Sequence, residues 1–473
     1  MFLREAVERQ QTQTTKEETV KKLWLVVALV AWGGLAINTF ADVQNIRLSG
    51  DIRIRGYYLN GAAENDANNN FQSDAAFISQ RTRVSVEADL EDHVLVVVTL
   101  KAEGEWGDNT TTTTDAGAGA MDDTANPINR GWDVGVSEAY VQFNELFYTA
   151  ATLKLGRQYL HYGRGLIISS TEQEYNYDAA RLVLDYYPLT IDLVGAQLVN
   201  NQTFGADSLH AGSADLLFVN ARYEMSDSAL KDIEGYFGWV GQGDSGPITS
   251  SRVPPITGAA SPLIIGLRGD LNFSDALQTW FEGAYEWGAD GTVADKTIGA
   301  FLLNVGGRYT LKDVQWVPML NANYIYASGG GNHGDGAFRP WFDYVDGYNG
   351  YLFAPALSNI HIFNLGASIK PYENTTLSLQ GYYYLKADHD SFAGSNPNVD
   401  FGGPEFANGD PAFTQANSSD LGWEFDWILG YDYSKDVRLQ LVYGMFIPEG
   451  AYKDSPAVSS VAHEVRAEVD VKF

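Results

Sequence analysis

The run Ser460-Val-Ala-His-Glu-Val-Arg-Ala-Glu-Val-Asp-Val-Lys-Phe473 separates into two phases. Val461, His463, Val465, Ala467, Val469, Val471 and Phe473 occupy one, and Ala462, Glu464, Arg466, Glu468, Asp470 and Lys472 the other. Successive side chains of a strand point to opposite faces, so one face is almost wholly apolar and the other almost wholly charged. A soluble edge strand can carry such a pattern. An apolar face that ends on a terminal aromatic residue instead has the form of the closing strand of a bacterial outer-membrane barrel, and the rest of the chain decides between the two.

The same alternation recurs upstream. Ile46, Leu48, Ile52 and Ile54 share a phase opposite Arg47, Ser49, Asp51, Arg53 and Arg55. From Phe77 to Leu90, Ser79, Arg81, Arg83, Ser85, Glu87 and Asp89 oppose Ile78, Val84, Val86, Ala88 and Leu90. Strand-like runs continue to the last residue, for a total of about 18 strands. Their connections sort into two classes. Short ones fall at 91–92, 144–148, 187–188, 226–230, 274–275, 312–313, 371–374 and 434–436, and long polar ones at 60–76, 107–133, 163–177, 200–214, 243–261, 289–297, 329–359, 388–420 and 448–459. Strict short–long alternation predicts an all-β, transmembrane, antiparallel up-and-down barrel with short periplasmic turns and long extracellular loops. A soluble sandwich has no reason to sort its connections in this way.

Composition agrees with that class. The chain has 473 residues, no cysteine, 48 glycines, 13% aromatic residues and a formal net charge of −29. Such acidity argues against a nucleic-acid partner. Without cysteine there are no disulfides or thiolate metal sites. Lys21 and Lys22 precede an apolar run from Leu23 to Ala36, followed by Thr39-Phe40-Ala41. This predicts a cleaved signal peptide over 1–41 and a barrel over 42–473; an uncleaved anchor is the competing reading, but the run is short for a full span. Beyond it no segment has the apolar length of a membrane helix, so strands must cross the bilayer. Aromatics lie mostly toward strand ends, at the headgroup level where amphipathic rings favour contact with outer-membrane lipid and lipopolysaccharide.

Catalytic and metal chemistry find little support. None of the seven histidines sits in a zinc pattern,. His161, Ser169, Ser170 and Asp178 are types that could form a hydrolytic set, with unspecific spacing. Asp335, Asp343 and Asp346 could ligate calcium, but EF-hand spacing is lacking and solvated acids are the blander reading. The loop carrying them, 329–359, is aromatic enough to fold back into the lumen. No cofactor is expected. The candidate chemistry is the inward phase of the strands, with Arg47, Arg53, Arg55, Arg81, Arg83, Lys101, Lys154, Arg181, Arg222, Arg268, Arg308, Arg438 and Arg466. Acids on that phase equal or outnumber the bases. A barrel of this size holds water, so such groups can stay solvated and select ions. The guanidinium patch on the first two strands suits bidentate capture of carboxylates.

Leu153-Lys-Leu-Gly-Arg-Gln-Tyr-Leu-His-Tyr-Gly-Arg-Gly-Leu-Ile167, followed by Tyr177-Asp-Ala-Ala-Arg-Leu182, resembles the bacterial alginate-export outer-membrane proteins. Leu421-Gly-Trp-Glu-Phe-Asp426, Gly444-Met-Phe-Ile-Pro-Glu-Gly450 and Arg81-Thr-Arg83 look like other strands of that family. The resemblance implies an 18-stranded monomeric barrel that passes an anionic polysaccharide through an arginine-rich pore. It implies pore roles for Arg81, Arg83, Lys154, Arg157, Gln158, Asp178 and Arg181. Arg157 falls on the apolar phase, so a bulge or the water-side end of the strand must accommodate it. The expectation is a porin or export channel for polar or anionic solutes or polysaccharide. The alternative is a plugged barrel that serves as a surface scaffold or receptor for a protein partner.

Overall fold

The computed structural model describes residues 45–65, 70–90, 93–107, 133–170, 176–200, 213–226, 228–242, 261–289, 297–330, 336–338, 341, 349–353, 355, 357–388, 418–453 and 461–473. The expected signal peptide lies outside them, as do Asp335, Asp343 and Asp346. The strands are β1 (Asn45–Asn65), β2 (Asn70–Leu90), β3 (Val94–Glu105), β4 (Asp133–Phe143), β5 (Ala151–Gln158), β6 (His161–Tyr162), β7 (Ile168–Ser169), β8 (Tyr177–Tyr186), β9 (Leu189–Asn200) and β10 (Ser213–Glu224). They continue with β11 (Leu230–Gln242), β12 (Ser261–Asn272), β13 (Leu277–Ala289), β14 (Thr297–Thr310), β15 (Met319–Ala327), β16 (Ile360–Tyr372), β17 (Thr375–Lys386), β18 (Asp420–Asp432), β19 (Val437–Pro448) and β20 (Ala462–Lys472). All except the small β6–β7 hairpin belong to one 18-stranded antiparallel sheet.

Each strand pairs with its sequence neighbour, and β1 pairs with β20 from Asp51↔Lys472 to Asn60↔His463, which closes the ring. Gly50 and Phe473 exchange backbone hydrogen bonds of 2.8 and 3.0 Å at this seam. Closure leaves no edge, so every strand has a neighbour on both sides for its backbone groups, the condition for crossing hydrocarbon. Among the described residues no helix is long and apolar enough to cross a membrane.

The two phases sort as the alternation predicts. Leu217, Ile265, Phe301, Leu365 and Trp427 are exposed on the outer face, Leu365 to 71%. Large apolar side chains at such exposure suit lipid, not water. Stacked aromatic pairs along this face, such as Tyr383–Trp423 at 4.3 Å and Tyr443–His463 at 6.0 Å, include both apolar and hydrogen-bonding rings. The inward phase is polar toward the short-turn end and becomes apolar toward the long-loop end. On β10 it runs from Glu224, Arg222 and Asn220 to Phe218, Leu216 and Ala214, the last four being buried.

The reason for this switch is a core inside the barrel. Residues 159–170, between β5 and β8, fold inward, and Leu160, Tyr162, Leu166, Ile167 and Ile168 pack with Leu216, Phe218 and Ile264 of the wall. Phe338, Trp341, Leu352, Phe353 and Leu357 come inward from the connection between β15 and β16 and join the same cluster. The described residues of that connection do fold back into the lumen. β5 ends at Gln158, short of the connection expected from 163, because the chain leaves the wall there.

Candidate pore lining and its inward loops

The inward loops are held by backbone contacts to wall carboxylates. The Gly163 amide donates to Glu234 Oε1 at 3.0 Å, and the Arg164 amide to Glu282 Oε2 at 2.8 Å. Glu282 is 0% exposed and also accepts the Tyr236 hydroxyl at 3.0 Å. On the second loop the amides of Tyr351, Leu352 and Phe353 converge on Glu424 at 2.8, 2.8 and 3.0 Å, and the Tyr384 hydroxyl adds a bond of 3.0 Å. A buried carboxylate needs several donors to offset its lost hydration, and these amides supply them. The close approach demands glycine. A Cβ at Gly163 or at Gly350 would lie 2.5 Å from Glu282 Oε1 or from Tyr384 Oη, and both residues have positive φ (+59° and +118°),.

Arginines complete both anchors. Arg268 forms ion pairs with Glu234 at 3.0 Å and Asp270 at 2.9 Å, and with Asp232 at 3.2 Å. Arg466 reaches Glu464 at 2.7 Å, donates to the Tyr351 carbonyl at 3.3 Å and lies over the Tyr57 and Tyr351 rings. Arg164, at the tip of the first loop, donates to Asp270 at 2.9 Å with its guanidinium 4.6 Å above the Trp280 ring. No sequence pattern marked Arg164 as part of the lining; it is a loop residue brought inward by the Gly163 and Arg164 backbone contacts.

The remaining lining forms a ladder across β20, β1, β2 and β3. Arg81 and Arg83 share Asp51, at 3.0 and 2.6 Å. Arg53 faces Arg81 across β1–β2 and Asp470 across β1–β20, and Arg55 pairs with Glu468. Lys101 lies 3.3 Å from Glu103. Farther round, Lys154 sits 3.5 Å over the Tyr140 ring, Arg181 bonds Asp192 at 2.9 Å, and Arg222 bonds Asp232 at 2.6 Å. Toward the short-turn end, Arg47 joins Glu87 and Asp89, Arg308 donates to Gln278, and Arg438 pairs with Asp432 at 3.1 Å. Gln158 is buried where β5 leaves the wall and donates to the Ala179 carbonyl at 2.9 Å.

Two residues depart from the expected lining. Arg157 and Asp178 share the outward phase with Leu155 and Ala180, at the long-loop ends of β5 and β8. They form a bidentate pair with bonds of 2.8 and 2.9 Å. Strand alternation sends them outward without a bulge, and each neutralises the other. This also breaks up the hydrolytic set. His161 Nδ1 lies 3.1 Å from Ser169 Oγ, but Ser170 Oγ accepts the Leu160 amide at 2.8 Å and Asp178 stays with Arg157 on the outer face.

The comparisons agree with this geometry. Among curated proteins none matches the chain. Solved structures match its fold at low identity. OccK2 (OpdF) of Pseudomonas aeruginosa has a TM-score of 0.54 and 12% identity, covering 92% of this chain and 99% of that one. The same protein in complex with glucuronate has a TM-score of 0.52 and 11% identity, covering 92% and 97%. OccAB4 of Acinetobacter baumannii has a TM-score of 0.53 and 11% identity, covering 91% and 99%. The alginate export family matches residues 46–466. A closed 18-stranded barrel with an apolar outer face and a charged interior, matched over nearly its whole length, places this chain in the alginate export family of porin-like channels of the bacterial outer membrane.

Proposed function

We propose that the protein passes polar, anionic solutes or polysaccharide through its water-filled lumen. The observation that carries this reading is a band of lumenal cations that stay open to solvent. Inward acids outnumber the bases, yet Glu282, Glu286, Glu424, Asp426 and Glu464 are wholly buried. Glu282 and Glu424 hold loop amides, Asp426 lies within reach of the Tyr351 amide, and Glu286 accepts the Trp341 indole N–H. A carboxylate covered by donors projects little field into the pore. Arg83, Lys101, Arg164, Arg181 and Arg222 keep about a quarter to a half of their side chains open to solvent, beside the open acids Glu103, Glu224 and Asp270. Solvent-facing guanidinium and ammonium groups attract carboxylates. The glucuronate bound to OccK2 is consistent with a small sugar acid as cargo. Lipid and lipopolysaccharide are the expected surroundings of the outer face.

The test is the reversal potential of the purified, refolded protein in a planar bilayer under a salt gradient, repeated with oligouronates on one side. Anion selectivity with uronate blockade is expected. Cation-selective current would keep a pore and remove the anionic cargo. A second reading, a plugged scaffold or receptor, draws on the apolar core between the inward loops and the wall. Absence of conductance from a folded barrel would favour it.

A further inference from the structure

Most of the inner wall is charged, but one sector is not. On β15 the inward positions are Asn321, Asn323, Ile325 and Ala327, and on β16 Ile360, Ile362, Asn364, Gly366 and Ser368. Asn304 of β14 lies opposite Ile325, and Gln380 of β17 lies opposite Gly366, level with Asn321. The ring order sets these strands half-way round from β3, β4, β5 and β8, which carry Lys101, Lys154 and Arg181. The amides lie just below the apolar core, on the short-turn side.

They form two neighbouring hydrogen-bonded clusters of side chains, one of Asn321, Asn364 and Gln380 and one of Trp280, Asn304 and Asn323. Asn321 Nδ2 donates to Asn364 Oδ1 at 2.9 Å and to Gln380 Oε1 at 3.1 Å, and Gln380 Nε2 returns a bond to Asn321 Oδ1 at 3.3 Å. Trp280 Nε1 donates to Asn323 at 3.0 Å and to Asn304 at 3.3 Å. The Trp280 ring lies across Gly306, and the Asn321 and Gln380 amides lie across Gly366, so the surface is flat. Strand pairing here is already complete without them, from Leu302↔Ala327 to Thr310↔Met319 and from Met319↔Ser368 to Ala327↔Ile360. The two clusters therefore add little that the backbone ladders lack, while Asn321, Asn323 and Gln380 stay partly open on the inner face above the buried Asn304 and Asn364. Among the described residues the Asn323 amide nitrogen donates to no protein acceptor, and it is not buried.

We propose that this amide wall is a saccharide subsite that reads hydroxyl groups rather than charge. Each primary amide offers planar donors and an acceptor side by side, which suits neighbouring hydroxyls of a sugar, and carries no charge whose desolvation must be offset. The inference rests on the channel reading above and adds a second recognition element to it. A sugar acid in the lumen would meet ammonium and guanidinium groups on one side and amides on the other. An uncharged saccharide would meet the amides alone.

The experiment is isothermal titration of the refolded barrel in detergent with maltohexaose, an uncharged linear oligosaccharide, alongside bilayer conductance on the same preparation. Wild-type protein is expected to bind maltohexaose, and Asn321→Ala/Gln380→Ala to bind it about tenfold more weakly, the effect of losing one or two neutral hydrogen bonds. Its anion-to-cation permeability ratio should not change. If that variant fails to refold, Asn323→Ala carries the same comparison with a smaller loss, about threefold. Conducting wild-type protein that ignores maltohexaose, or refolded variants that bind it as wild type does, would overturn the subsite and leave the channel intact. Binding by protein that passes no current would overturn the channel and leave the subsite.

Discussion

Glu424 on β18 holds the backbone of Leu352 at 2.8 Å, although the two residues are far apart in the chain. That single carboxylate fixes a turn of the second inward loop and closes the stack of Phe353 on Phe446, whose rings lie 4.3 Å apart and nearly parallel. Glu424→Gln leaves one carbonyl acceptor where several donors converge. We expect a loss of about 1–3 kcal/mol in stability. Thermal unfolding of the barrel and a rise in single-channel conductance, as the loop leaves the lumen, check this. Unchanged conductance in a destabilised barrel would show that the loop does not limit the pore.

Arg164 bridges Asp270 and the Trp280 ring from the tip of the first loop. Arg164→Ala should move the reversal potential toward cation selectivity, by removing a lumenal cation and leaving Asp270 with Arg268 alone. Asp270→Asn should move it the opposite way. Shifts of equal sign in the two variants would contradict a direct electrostatic role for this pair.

Asp51 is shared by Arg81 and Arg83. Asp51→Asn should raise anion selectivity while costing about 2 kcal/mol, because Arg81 is buried and loses its counter-charge,. Reversal potential and urea unfolding read the two effects separately.

Arg157 and Asp178 face outward near the long-loop ends of their strands, bonded at 2.8 and 2.9 Å. Removing both should leave conductance and selectivity at wild-type values. Asp178→Ala alone leaves an unpaired outward cation, costing roughly 0–1 kcal/mol near the membrane interface and more if the pair lies deeper. A double-mutant cycle on unfolding measures the coupling. Any change of selectivity in the double variant would contradict their outward placement.

Much of the barrel is legible from the sequence because period-2 alternation and the sorting of turns are local properties. The alternation of Arg222 and Glu224 with Ala221 and Tyr223 assigns β10 its faces without any tertiary information. The same strand turns apolar on both faces at Leu216 and Phe218, and there alternation is silent. The partners are Tyr162 and its neighbours, in another segment, with the Tyr162 and Phe218 rings 4.8 Å apart. Glu282 and Glu424 read only as inward acids. Their role depends on backbone amides of distant loops, and a backbone donor has no residue type by which to be found. Arg157 sits on the apolar phase in the sequence, and taking that phase at face value gives its position correctly. The family motif around it points inward only if motif membership is equated with pore lining.

The two inward loops span chords of the ring. The first leaves the wall at β5 and is fastened to β11 and β13, and the second leaves at β15 and is fastened to β18 and β20. A hoop of strands joined edge to edge resists stretching but flattens easily, since each hinge between strands rotates at little cost. A chord tied at both ends removes that freedom, as a spoke keeps a rim round. The carboxylate-to-amide ties therefore give this barrel a fixed cross-section, and a lateral squeeze from the surrounding bilayer is borne by the loops inside it.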